Sequence, residues 1–261
     1  MRAILVVLAF LPALALAAES GYRLDRSPHD PNDLVSLQAG ARTFVNYCLN
    51  CHGAQFMRYN RLQELGLTEA QIRDNLMFAT DKVGSTMTAG ISKADATAWF
   101  GTVPPDLSVE ARIRGIDWLY SYLLAFYRDE KTVTGWNNLV FNNVSMPHAL
   151  WKLSGVQKLV ETEYEDEGKA EAAAIAVKGL ALAERLNDRK FVVKTVALEE
   201  PGTLPPVEYK AFVADLVNFL DYMSEPVRNE RINIGIGVLI YLGILLAFAY
   251  ALKRAYWKDV H

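Results

Sequence analysis

The residues that could do chemistry gather in one stretch, Tyr47-Cys48-Leu49-Asn50-Cys51-His52, which holds both cysteines of the chain in a C-x-x-C-H arrangement. That spacing is the attachment pattern of c-type haem. On a helix, Cys48, Cys51 and His52 fall at i, i+3 and i+4, so two thiols and an imidazole crowd one face within a single turn. Such a turn suits a covalent porphyrin: the thiols add to its vinyl groups as thioethers, and His52 becomes an axial iron ligand. A zinc site would need further Cys or His pairs, which the sequence lacks. A thioredoxin-like redox pair would need a surrounding βαβ pattern, and the flanks of this motif read as helix.

With His52 on one side of the iron, the sixth position separates electron transfer from ligand chemistry. Met57 lies too close to His52 in sequence to cross the ring, and Met223 falls on the apolar stripe of a helix. His261 lies beyond the membrane segment described below. Met146 stands in a long loop and is followed by Pro147, which restrains the backbone there. On the residues alone Met146, Met87 and His148 all remain candidates.

The elements that must position these groups read as helices. Asn32 or Asp33 can cap a helix whose apolar stripe, Leu34, Leu37, Ala41, Phe44, Val45 and Cys48, delivers the motif. Thr68 caps a second helix to about Ala79, and residues 81–103 read as loop, closed by Gly101-Thr102-Val103-Pro104-Pro105. The two prolines give a stiff apolar strip suited to walling a haem crevice. Asp106-Leu107-Ser108 can cap a short helix carrying Arg112 and Arg114, and Asp117 opens a longer one through Trp118, Tyr122 and Phe126. Residues 131–151 read as loop, 161–171 as an acidic run, and an Ala-rich helix is expected to about Leu186. Pro205-Pro206 leads into an amphipathic helix with Phe212, Leu216, Phe219, Leu220 and Met223 at 3, 4 spacing.

The two ends are apolar. Residues 1–17 read as a signal peptide, with Arg2, an apolar run and an Ala-Leu-Ala cleavage pattern. Ile232 to Leu252 carries no charge and is flanked by Arg228, Arg231, Lys253 and Arg254, which predicts a transmembrane helix within an anchor at 228–254. The expected layout is a periplasmic haem domain at 18–227, that anchor, and a cytoplasmic tail at 255–261. Part of the 51% hydrophobic content therefore sits outside the soluble core, and a net charge of −3 makes no case for nucleic acid.

In this order the motifs resemble the cytochrome c1 family, the membrane-anchored haem subunit of ubiquinol–cytochrome c oxidoreductase (the bc1 complex). The resemblance rests on CLNCH with Arg58-Tyr59-Asn60-Arg61-Leu62, GTVPPDLS at 101–108, Arg112-x-Arg114 with Asp117, NNVSMP holding Met146, DLVNFLDYMSEP at 215–226, and the terminal span. It implies one covalent haem c, Met146 as sixth ligand, Arg114 against a haem propionate, and Pro104 and Pro105 lining the ring. It also implies an all-α, class I cytochrome c-like haem domain followed by one C-terminal transmembrane helix, with the helix before CLNCH crossing DLVNFLDYMSEP. The implied function is to accept one electron from the Rieske iron–sulfur protein and pass it to cytochrome c. The partners implied are cytochrome b and membrane lipid, within a dimeric complex at a bacterial inner membrane, with no bond of a substrate broken on this subunit.

Two stretches depart from the family pattern: Pro147-His148-Ala149 follows Met146, and residues 154–200 take no role from it. The acidic run at Glu161, Glu163, Glu165 and Glu167 could steer a basic cytochrome c or stand as a solvated loop. Two other readings are a membrane-tethered cytochrome c feeding a terminal oxidase, and a haem sensor or peroxidase with an open sixth site.

Overall fold

A computed structural model describes residues 22–177, 179–187 and 190–258; the expected signal peptide and the last three residues of the tail lie outside the described residues. In chain order the elements are β1 (Tyr22–Arg23), α1 (Leu34–Thr43) continued by a π-helical turn (Phe44–Cys48), β2 (Ala54–Arg58), a 3-10 helix (Tyr59–Leu65), and α2 (Glu69–Leu76). Next come β3 (Thr86–Met87), α3 (Lys93–Phe100), α4 (Glu110–Arg114), α5 (Ile116–Leu124), β4 (Phe126–Arg128), β5 (Trp136–Asn138) and α6 (Trp151–Ser154). The remainder is β6 (Gly155–Tyr164), α7 (Glu167–Ala176), β7 (Ala181–Asn187), β8 (Lys190–Pro201), α8 (Pro206–Ser224) and α9 (Arg228–Tyr256).

Local chemistry starts several of these helices. Asp33 caps α1 by accepting from the Val35 and Ser36 amides, and Thr68 with Gln71 forms a capping box on α2. Pro206 occupies the first turn of α8, where its missing N–H costs nothing.

The main core forms where α1 crosses α8. The expected pairing of the motif helix with DLVNFLDYMSEP is therefore present: Leu37, Ala41 and Phe44 meet Val213, Leu216 and Phe219, all 0–1% exposed. The crossing is close because Gly40 lies against the α8 backbone, and a Cβ placed there would stand 2.0 Å from the Asp215 carbonyl oxygen. Polar groups fix the register: Ser36 Oγ donates to Asp215 at 2.7 Å, and Asn218 Nδ2 donates to the Asp30 carbonyl at 2.7 Å and to Ser36 Oγ at 3.0 Å.

The expectation of an all-α protein is overturned by three antiparallel sheets among the described residues: a four-stranded one in the order β1-β7-β8-β6, and the pairs β2-β3 and β4-β5. The long antiparallel β6-β8 pair occupies the segment left without a role, and the helix expected to reach Leu186 stops at Ala176 because Ala181–Asn187 is recruited as a strand. The physical reason lies in β8, where Val192, Val193, Thr195 and Val196 are β-branched and favour a pleated surface. Buried Ala170 and Ala174 of α7 then pack on Ala181 and Val193, covering that sheet. Residues 81–103 also carry more structure than loop, since β3 pairs with β2 and Ser92 caps α3.

Helix α9 is 29 residues long and exposes its apolar side chains; residues Glu230–Tyr256 are long and apolar enough to span a bilayer. Replacing Gly40 with alanine is expected to force α1 and α8 apart, at a cost of about 1–3 kcal/mol typical of overpacking. Thermal unfolding of the variant checks this as a lowered Tm.

Candidate haem site

The π-helical turn ends on Cys48, and the chain then makes one more tight turn, with the Cys51 and His52 amides donating to the Cys48 carbonyl at 3.0 and 2.8 Å. Both cysteines are free thiols on this turn. Burial, reinforced by the neighbouring Cys51, pushes the Cys48 thiol up to about 12. The carbonyls of the two residues between the cysteines are also engaged: Leu49 accepts from the Gly90 amide and Asn50 from Ile91. The motif is thus a fixed shelf, not a free loop.

His52 is oriented by the proline strip. Its Nδ1 lies 2.8 Å from the Pro105 carbonyl oxygen. A carbonyl can only accept, so Nδ1 carries the proton and Nε2 carries the lone pair. Burial lowers the His52 pKa, opposed by the Pro105 bond and by the charges of Glu110 and Asp106, and so favours the neutral imidazole that a metal requires. Three more bonds clamp the two segments together: Leu107 N donates to the Gly53 carbonyl at 2.7 Å, Gln55 N to Asp106 at 2.9 Å, and Phe56 N to Ser108 Oγ at 3.1 Å. Asp106 and Ser108 therefore serve the motif and do not cap α4, which starts without a side-chain cap.

A second group of side chains is arranged at four-residue intervals from α4 into β4. The Arg114 guanidinium lies 4.8 Å over the Trp118 ring, Trp118 stacks on Tyr122 at 5.0 Å and 9°, and Tyr122 meets Phe126 edge-on at 5.1 Å. Phe126 in turn stacks on His148 at 4.7 Å and 2°. Met146 is half-buried beside Phe126, Trp136 and Val144, and the Tyr122 hydroxyl donates to its sulfur at 3.4 Å. The exposed face of Arg114 pairs with Glu110 at 3.1 Å.

The asparagines of the 131–151 segment wire this second group. Asn137 accepts from the amides of Asn138 and Asn143 while donating to Asp129 and Asn142. Asn138 donates to the Tyr122 carbonyl at 2.8 Å and accepts from Val140 and Phe141. Which partners these asparagines reach is a tertiary matter.

The structure brings Cys48, Cys51, His52, Pro104 and Pro105 together, and separately joins Arg114 to Met146 through Trp118 and Tyr122. Glu110 is shared, since its charge is felt by His52 and its carboxylate pairs with Arg114. His148, a candidate ligand on sequence, is 3% exposed, and its Nε2 is hydrogen-bonded to Ser154 Oγ at 2.8 Å. Of the methionines among the described residues, Met57, Met77, Met87 and Met223 are buried in the main core, and Met146 is not.

The donor set fits a c-type haem: two free thiols, an imidazole with its far nitrogen unprotonated, and a thioether held in a loop apart from the core. Comparison with known proteins agrees. The model of the Cytochrome C1 family matches residues 26–260. The chain belongs to the cytochrome c1 family. It is 42% identical to a cytochrome c1 of Allochromatium vinosum over 96% of this chain and 95% of the relative. It is also 44% identical to a Nitrosomonas europaea protein named ammonia monooxygenase gamma subunit, over 98% of this chain and 97% of that one. A cytochrome c1 of Rhodospirillum rubrum matches at 27% over 87% of this chain and 83% of its own. As a member of this family, the protein carries one covalent c-type haem and is a membrane-anchored electron-transfer subunit of a bc1 complex.

His148 gives this site a pH signature. Burial lowers its pKa from 6.5 to about 3, so between those values the unfolded chain binds a proton that the folded one refuses, and stability falls as pH falls. The slope is up to about 1.4 kcal/mol per pH unit. Urea unfolding at stepped pH is expected to show a shallower acid limb in His148→Gln than in the parent protein.

Proposed function

We propose that Cys48 and Cys51 would hold the haem as thioethers, that His52 and Met146 would ligate its iron, and that the subunit takes one electron from a Rieske iron–sulfur protein and hands it to a cytochrome c. The haem, when bound, supplies a one-electron couple whose potential follows its axial ligands. The protein's own residues do the rest. Pro105 holds His52 in the tautomer that presents Nε2, while Pro104 and Pro105 supply rigid apolar backbone beside it. Arg114 stands ready for a propionate, because its present partner, Glu110, makes a surface pair worth about 0–1 kcal/mol that a second anion can displace.

The observation that carries this reading is the His52–Pro105 hydrogen bond beside two free thiols in a chain of this family. Residues 1–17 act as an export signal, the haem domain at 18–227 lies in the periplasm of a bacterial inner membrane, the anchor is 228–254, and the tail at 255–261 is cytoplasmic. Helix α9 packs on a cytochrome b within a dimeric complex, which gives its exposed apolar side chains a partner besides lipid.

Lysines on the neighbouring strand neutralise part of the acidic run. Lys190 pairs with Glu163 at 2.5 Å, Lys194 lies between Glu161 at 3.8 Å and Glu184 at 2.6 Å, and Lys158 pairs with Glu199 at 3.3 Å. Steering needs a field of one sign, so the triple variant Glu163→Gln, Glu165→Gln, Glu167→Gln is expected to keep the low-salt association rate with a basic cytochrome c.

Purification from membranes tests the larger reading. The haem polypeptide is expected to copurify with a cytochrome b and an iron–sulfur protein and to be reduced by ubiquinol; isolation with a terminal oxidase or an ammonia monooxygenase instead would overturn it. Met146→Leu is expected to lose the sulfur-to-iron absorption band and drop in midpoint potential, and ready CO binding by the reduced parent protein would favour an open-site sensor or peroxidase.

A further inference from the structure

We infer that Tyr122 is a positioning residue for the redox centre: its hydroxyl donates a hydrogen bond to the Met146 sulfur and thereby raises the midpoint potential. This rests on the ligand role proposed for Met146. The geometry is direct, with the oxygen 3.4 Å from Sδ, inside the range of a hydrogen bond to sulfur. A thioether sulfur has two lone pairs, so one can face a metal while the other accepts from Tyr122. The bond withdraws electron density from the sulfur, which weakens its stabilisation of the oxidised iron more than of the reduced iron.

The surroundings hold the hydroxyl in place. The Tyr122 ring is clamped between the parallel Trp118 ring and the edge-on Phe126 ring, and its backbone carbonyl is bound by buried Asn138. Burial raises the phenol's pKa, so the donor proton stays on oxygen across the physiological range. Met146 packs, as Tyr122 does, against the cluster of Phe126, Trp136 and Val144. The hydroxyl and the sulfur are therefore held against one common apolar cluster.

The test uses the haem-loaded, full-length protein and three variants. Tyr122→Phe keeps the ring stack and removes only the oxygen. Tyr120→Phe is the control, a buried tyrosine on the same helix whose hydroxyl has no bond to Met146 among the described contacts. Tyr122→Phe is expected to lower the midpoint potential by a threefold to tenfold change in the redox equilibrium, about 30–60 mV at 59 mV per decade. The sulfur-to-iron band should persist but move, and Tyr120→Phe should change neither. An unchanged potential in Tyr122→Phe, or an equal shift in Tyr120→Phe, overturns the inference while leaving the ligand assignment intact. A Met146→Leu protein that keeps the band sinks the ligand assignment and this inference with it.

Discussion

Everything in this molecule is referred to the crossing of α1 on α8, which is possible because residue 40 has no side chain. With Gly40 against the Asp215 carbonyl, the two helices approach closely enough for Leu37, Ala41 and Phe44 to bury against Val213, Leu216 and Phe219. Interiors pack at crystal-like density, so such an approach is rigid. The Cys48–His52 turn follows α1 without a break and inherits that rigidity. A covalent cofactor attached there has a fixed floor, and its position relative to α8 is set by backbone contact, not by loop conformation.

His52 and Met146 are each held by a clamp, and the two clamps differ in kind. Around His52 the clamp is backbone-based: the Pro105 carbonyl, the Gly53 carbonyl and the Asp106 and Ser108 side chains join two loops by hydrogen bonds. Around Met146 it is aromatic, with Trp118, Tyr122, Phe126 and His148 stacked or edge-on and buried asparagines fixing the loop that carries the thioether. Hydrogen bonds set the tautomer of an imidazole, which must be fixed for ligation. Aromatic packing sets the position of a flexible methionine, which has three rotatable bonds to restrain.

The membrane helix is tied to this site by charge. Arg228 pairs with Asp221 at 3.0 Å, Arg231 with Glu225 at 2.5 Å, and Arg112 of α4 approaches Glu225 at 3.6 Å. These arginines, Arg231 most of all, hold the Glu225 carboxyl below its ordinary pKa, so the junction stays ionised at neutral pH. Because α4 also carries Arg114, the base of the anchor and the second clamp share one short helix.

The chemistry was legible in the sequence because it depends on residues close in the chain. Cys48, Cys51 and His52 fall on one turn whatever surrounds them, and an uncharged run from Ile232 to Leu252 can only be solvated by lipid or another helix. The amphipathic stripe of α8 and the caps at Asp33 and Thr68 are local for the same reason. The all-α expectation failed where pairing is non-local: β6 and β8 stabilise each other across a gap filled by α7 and β7, and an acidic, Ala-rich stretch does not announce a strand partner that lies further on. The partners of Tyr122, Asn138, Glu110 and His148 were likewise decided only by folding, since a side chain's contacts across long sequence separations depend on the packing of whole elements and not on its neighbours in the chain.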